Sequence, residues 1–438
     1  MTKKKIKDIW KEIIDGKCTP GIDRLNLNYI QKNGLEKKYI NLVYDGLINN
    51  KPYVFSKYKQ LLKTKGRGKE PRVISIPTIR DRLMLSCLLN KIKFIYRPKV
   101  NDIVAGINSE LNKGLYDSYL KLDITKFYDS INIPILISKL SEKLDKNTCD
   151  LIGNALLTNT VDEKNNTKSI PRVKSKRIGI PQGIIISNSL GEFYLKEFDH
   201  FMNTQKNIKY FRFVDDILIF YKSKEITKES ILELASKEIK KCKLKFNKSK
   251  TESGLVSSPF EFLGYEFERD VIRPKKDSIR IQEKKIERII FDFKNCTNSR
   301  MRRTELLKWK LDVNIRGFIS QTRVYGWTQV YRKTNDLEVF YKMDWLVRKL
   351  LKRAGFEKKI FTSSYAKSYL YLTNNNQSYA INFDKKYKTI SQKRTLLRKL
   401  FKVPAGLRSD VVTGLFNALV SKTIYDVERD LDFKYSLS

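Results

Sequence analysis

The chain has 438 residues, enough for two or three domains, and its 41% apolar content without a long low-complexity tract marks it as folded along nearly all its length. It carries 88 Lys and Arg against 48 Asp and Glu, a formal net charge of +40, which points to a polyanionic partner. His200 is the only histidine, and the five cysteines (Cys18, Cys87, Cys149, Cys242, Cys296) form no CxxC pair, which excludes Ser-His-Asp catalysis anywhere but at His200, HExxH and HNH sites, zinc ribbons and a disulfide framework. Transfer chemistry in this chain must run on carboxylates, lysines and a hard metal.

The N-terminal "MTKKKIKDIWKEI" lacks the apolar core of a signal peptide, and no stretch approaches about 18 apolar residues, so a cytoplasmic chain with no membrane partner is expected. The first sixty residues read as helices, broken by a loop at "GKCTPGIDRL". A basic, glycine-containing turn in "LLKTKGRGKEPRVISIPT" leads to a strand at "RVISI", and "DRLMLSCLLNKIKFIY" has the spacing of a buried helix. "SYLKLDITKFYDSI" begins with alternation and reads as a strand whose last residue is Asp123. Residues 145–176 are polar, with "VDEKNNTKSIPRVKSKR" as a hairpin or loop. "IGIPQGIIISNSL" precedes a helix, "GEFYLKEFDHFM", and "YFRFVDDILIFY" fits a β-hairpin turning at Val214-Asp215-Asp216. "ILELASKEIKKCKLKFN" is an amphipathic helix with a strand at its end, and "FEFLGYEFERDVIRPKKDSIRI" a strand pair. Helical spacing then runs from about 282 through "DLEVFYKMDWLVRKLLKRAG", where Gly355 supplies a C-cap. Two short amphipathic segments follow, around 391–402 and 408–430.

Carboxylates are costly inside an apolar run, and Asp215-Asp216 alone has the composition of a turn. Asp123 changes that reading, because it too ends a short apolar strand. Strands of one sheet ending in carboxylates at one edge make an oxygen-rich pocket. Such a pocket suits Mg²⁺, and two ions ~3.5–4 Å apart can clamp the attacking and leaving oxygens of a phosphoryl transfer.

In this arrangement the sequence resembles the reverse transcriptases over residues 65 to 270. "KEPRVISIPTIRDRL" is similar to the first fingers motif, "LKLDITKFYDSI" to palm motif A, "GIPQGIIISNSL" to motif B and "FRFVDDILIF" to motif C. "LKFNKSKTE" resembles motif D and "FEFLGYEF" the primer-grip motif E. The resemblance implies that Asp123 and Asp215 bridge two Mg²⁺ ions, with Mn²⁺ as an alternative. Asp216 would complete the pocket, and the backbone carbonyl of Ile124 would face the metal. Tyr128 matches the aromatic gate that rejects a 2'-hydroxyl, which favours dNTPs; the other reading of Tyr128 is a core tyrosine. Gln182 and Gly183 match the pair beside the incoming nucleotide, and Arg72 the arginine on its triphosphate, with Lys65, Arg67 and Lys69 as neighbouring candidates. Lys250 matches the lysine that protonates pyrophosphate, with Lys248 two residues away. Two departures stand out: Phe213 replaces a common tyrosine in motif C, and Asn188 a common proline in motif B. The continuation "SNSLGE" is similar to bacterial lineages tied to phage defence, the abortive-infection and unknown-group enzymes.

The expected fold is α+β, a right-hand polymerase: fingers over 1–115, an antiparallel-sheet palm over 116–270 with an inserted fingers segment at about 131–178, a helical thumb over 271–345 and a basic helical domain over 346–438. The expected function is RNA-directed DNA synthesis in phage defence, with an RNA template, dNTPs and a DNA product. Alternatives are a template-independent or protein-primed DNA polymerase on the same scaffold, and a catalytically silent RNA-binding defence protein. Residues 271–438 carry 37 basic against 16 acidic residues, which points to a dedicated noncoding RNA held by the C-terminal half, with aromatics of "WLVRKLLKRAG" and "SYAKSYLYLT" as stacking partners. Oligomeric state is left open.

Overall fold

The computed structural model describes residues 1–15, 19–63, 70–163, 177–295, 303–320, 323–356, 360, 363–374, 379–404 and 406–428. The chain forms two compact units, one of Met1–Pro98 with Ser118–Ser253, the other of Lys99–Asp117 with Gly254–Ser438. Helices and antiparallel strands alternate irregularly, as the α+β reading requires.

In the first unit, helices Lys3–Asp15, Leu35–Ile48 and Ile79–Lys91 bury Trp10, Val43, Leu83 and Met84 against one another. Thr78 caps the third of these by accepting the Asp81 N–H. Asp81 is fully buried, and its carboxylate accepts from Tyr53 OH at 2.9 Å, the Ser56 N–H at 2.9 Å and Arg80 Nη2 at 2.8 Å. Strand β1 (Tyr58–Lys63) pairs antiparallel with β2 (Arg72–Ile76), the expected "RVISI" strand, and parallel with the short β4 (Thr160–Val161). The sequence reading missed β1 because Leu61 and Leu62 both stay exposed, so no alternation marks it.

The polar stretch 145–176 opens with a helix that the sequence reading did not assign, Lys146–Leu157. The Asp145 carboxylate accepts the Thr148 N–H at 2.8 Å and the Thr148 hydroxyl at 2.8 Å, and Ile152, Ala155 and Leu156 are buried. Residues 164–176 lie outside the described residues.

The central sheet runs β5-β6-β3-β7, built from β3 (Ser118–Asp123), β5 (Ile208–Phe213), β6 (Asp216–Tyr221) and β7 (Glu252–Leu255). Ile217 to Phe220 on β6 are all buried, so this strand is covered on both faces. Phe198 and Ile239, from helices Lys196–Thr204 and Lys228–Lys241, belong to the same apolar cluster as Ile217 and Ile219. The strand expected after the second helix is reduced to a single bridge, Ile124 to Phe246.

In the second unit the expected strand pair is a three-stranded antiparallel meander of β8 (Phe260–Phe262), β9 (Tyr265–Glu268) and β10 (Val271–Pro274). Helices Lys276–Lys294, Arg303–Arg316 and Glu338–Arg353 follow, and Gly355 takes the left-handed conformation (φ 77°) just past the last of them. Helices Ile390–Leu400 and Ser409–Glu428 match the two expected amphipathic segments, the first opened by a Thr389–Gln392 capping box. The stacking role expected of "SYAKSYLYLT" is corrected at two positions. Tyr365 and Tyr369 are core, Tyr369 stacking on Phe340 at 4.6 Å, because Asp344 caps their helix and turns these rings inward. Trp345, by contrast, is exposed, with Lys349 4.5 Å above its ring. Among the described residues no helix is long and apolar enough to cross a membrane.

Candidate active site

The β3–β6 register sets Asp123 directly opposite Asp216, the last residue of one strand against the first of the other. A two-residue turn, Val214-Asp215, joins β5 to β6, and the Ile124 N–H donates to the Asp215 carbonyl at 3.2 Å, drawing the end of β3 onto that turn. Asp123, Asp215 and Asp216 are each half-buried, and each offers a carboxylate oxygen within 4.8 Å of the others. Three like charges this close call for a cation, and an all-oxygen donor set suits a hard divalent ion. The residues therefore fit a magnesium-type site.

A lysine already answers part of that charge. Asn247 donates its N–H to the Asp123 carbonyl at 2.8 Å and Thr125 its N–H to Lys245 at 2.9 Å, which lays residues 245–247 beside the end of β3. The 3-10 turn Lys248–Lys250 follows, and Lys250 Nζ reaches Asp123 Oδ2 at 2.9 Å. Of the two candidate lysines, Lys250 is the one at the carboxylates.

Past Asp123, Lys126 takes a left-handed φ of 43° and a single helical turn, Phe127–Ser130, sends Phe127 into the core. Tyr128 is half-buried and donates its hydroxyl to Asn188 Oδ1 at 2.8 Å. Burial, and then the carboxylates of Asp215 and Glu192, push the Tyr128 phenol well above its usual range, so it stays neutral and a donor. Asn188, noticed in the sequence only as a departure, is thus the partner of the expected gate.

Gln182 and Gly183 meet strand β2. The Ser75 N–H on β2 donates to the Gln182 carbonyl at 2.7 Å, and Gly183 has φ 102°. A Cβ on Gly183 would lie 2.6 Å from Ile74 Cγ2 and 3.1 Å from the Ser75 carbonyl oxygen, so only glycine fits. Gly183→Ala is expected to lift this loop off β2 and lower nucleotide incorporation by about 10²-fold, the cost of a displacement near 1 Å. Steady-state incorporation alongside a thermal melt checks it: a wild-type rate would separate the loop from catalysis. Arg72 opens the same β2, half-buried and paired with Lys63. Lys65, Arg67 and Lys69 lie outside the described residues.

The sequence reading missed Arg212. It sits on β5 with its side chain 4% exposed, ion-paired to Glu192 at 2.7 Å and to Asp199 at 2.5 Å. The signal was an arginine inside an apolar strand, next to a glutamate inside an apolar helix.

Strand ends bearing three carboxylates on a helix-backed antiparallel sheet, with a lysine at their side, define a polymerase palm. Residues 62–267 match the family of reverse transcriptases (RNA-dependent DNA polymerases). The putative COX1/OXI3 intron 2 protein of Saccharomyces cerevisiae is 26% identical over 192 residues, covering 41% of this chain and 21% of that protein. An uncharacterized 91 kDa protein in the cob intron of Schizosaccharomyces pombe is 26% identical over 204 residues, 44% of this chain and 24% of that protein. The chain thus spans under a quarter of the length of these relatives. Among solved structures, telomerase from Candida albicans with a TWJ fragment of telomeric RNA is 13% identical at TM-score 0.44, covering 94% of this chain and 69% of that one. Apo telomerase from Candida tropicalis is 14% identical at TM-score 0.42, covering 95% and 75%.

Proposed function

We propose that the chain copies RNA into DNA from dNTPs, with Asp123, Asp215 and Asp216 holding two Mg²⁺ ions (or Mn²⁺) together with the Ile124 carbonyl. The convergence of the three carboxylates within 4.8 Å at one sheet edge carries this reading. When bound, the ions supply a nucleophilic primer hydroxyl and neutralise charge on the triphosphate. Arg72 grips the triphosphate, with Lys65 as a further contact, while Gln182 and Gly183 orient the nucleotide. Tyr128, tethered by Asn188, closes the space beneath the sugar. Lys250 leaves Asp123 to carry a proton to the departing pyrophosphate.

We assign residues 1–115 to fingers, 116–270 to palm with the inserted fingers segment at about 131–178, 271–345 to thumb and 346–438 to a basic accessory domain. The exposed Tyr341 and Trp345, one turn apart and flanked by Lys342, Arg348 and Lys349, suit a single-stranded RNA, which we take to be a dedicated noncoding template. The proposed setting, phage defence in a bacterial cytoplasm, is supported only by the "SNSLGE" continuation.

The test is incubation of the purified protein with Mg²⁺ and labelled dNTPs, with and without RNase pretreatment. RNase-sensitive product is expected. RNase-resistant product would favour untemplated or protein-primed synthesis, and no product a binding protein.

A further inference from the structure

Val214 is a β-branched residue at φ 58°, a left-handed conformation that valine avoids and that the surroundings must enforce. Its peptide leads directly into Asp215 and Asp216, so its orientation sets where both carboxylates lie. Arg212 spans this turn: Nη1 donates to the Val214 carbonyl at 2.8 Å. The rest of the guanidinium is locked. Nη2 donates to Glu192 Oε2 at 2.7 Å and to Asp199 Oδ2 at 2.5 Å, and Nε to Asp199 Oδ1 at 2.7 Å. Tyr210 donates its hydroxyl to the same Asp199 oxygen at 2.7 Å, which completes the network. Burial pushes the Glu192 carboxyl above its usual range, while the Arg212 guanidinium, and after it the Val214 amide, favour its charged form.

Glu192 and Asp199 lie on helices Ser187–Tyr194 and Lys196–Thr204, the two that follow the Gln182-Gly183 loop. Helices from that part of the chain therefore grip the turn that bears two of the three carboxylates. We propose that Arg212, locked by Glu192 and Asp199, is a positioning residue that fixes the Val214 peptide and so keeps Asp215 and Asp216 in metal-binding register with Asp123. Glu192 in "SNSLGE" thereby gains a physical reason, as the buried counter-charge of Arg212. The inference rests on the metal reading of the triad.

A buried ion pair that serves stability alone can be exchanged for apolar residues without losing the fold, whereas removing one partner strands a charge. The double variant Arg212→Met, Glu192→Leu exploits this difference. Mn²⁺ binding is read from the electron paramagnetic resonance signal of the free ion, together with the Mg²⁺ concentration that half-saturates incorporation and the thermal melt. The double variant is expected to stay folded, melting below the wild type because Asp199 loses its partner, but to bind Mn²⁺ at least about tenfold more weakly, with the Mg²⁺ requirement raised in step. Asp199→Asn, which weakens the lock on the guanidinium and leaves Glu192 in place, is expected to weaken Mn²⁺ binding in the same direction but by less than the double variant. A folded double variant with wild-type Mn²⁺ affinity overturns the proposal. If the double variant does not fold, Arg212→Lys decides, since it keeps the charge without the fork: wild-type Mn²⁺ affinity in that variant also overturns it. Wild-type protein that binds no Mn²⁺ would instead sink the metal reading itself.

Discussion

Asp215→Ala with Asp216→Ala is expected to lower dNTP incorporation by at least about 10³-fold, roughly 4 kcal/mol of barrier, while the protein stays folded and keeps its RNA. The fold should survive because Asp123, Asp215 and Asp216 repel one another at this separation, a charge that Lys250 at Asp123 offsets in part. Asp216 stands directly across the ladder from Asp123, and like charges so placed destabilise a strand pair by roughly 0.2–1 kcal/mol. A metal-free melt should therefore show the double variant as stable as the wild type or slightly more so. Adding Mg²⁺ should raise the melting temperature of the wild type and not of the variant, because an ion that binds only the folded state stabilises it. Wild-type incorporation by the variant would refute the carboxylate assignment outright.

Tyr128→Val should raise the use of ribonucleotides relative to deoxynucleotides by about 10–100-fold, measured as the ratio of kcat/KM values in single-nucleotide incorporation. The magnitude is that of a steric sieve of one or two methyl-sized increments. The ring is pinned from two sides. Its hydroxyl is bonded to Asn188, and Gly191, whose missing side chain would reach within 3.5 Å of Tyr128 Cε1, lets the helix come close behind it. Asn188→Ala should therefore relax discrimination in the same direction by less, since the ring stays but loses its tether. An unchanged ratio in both variants would make Tyr128 a packing residue.

The carboxylate triad was legible in the sequence because burying a charge is so costly that Asp215 and Asp216 in an apolar run demanded a reason. Asp123 supplied the second strand end. What the sequence hid was the neighbourhood. The helix Lys146–Leu157 was lost among Asn, Asp and Lys, although Ile152 and Leu156 stand four apart behind an Asp145 cap. Strand β1 has no apolar face to betray it. Arg212 went unnoticed, since nothing local reveals that its partners come from helices 13 to 20 residues earlier. Tyr365 and Tyr369 looked like stacking aromatics for the same reason: composition does not say which way a ring points.

The chain leaves its first unit at Pro98, lends residues 99–117 to the second, and returns at Ser118. On a ribosome this has a temporal meaning. The helix Val100–Lys113 is complete long before Gly254, where the rest of its unit begins, so its apolar residues Val100, Ile103, Val104 and Ile107 wait. At about 5–20 residues per second the wait is on the order of ten seconds. Strand β3 waits in turn for β6. The nascent chain should thus expose an unpartnered helix and an unpaired strand together, which makes slow translation and chaperone supply, more than the stability of the finished fold, the limit on its yield. It also means that no single cut can release either unit whole.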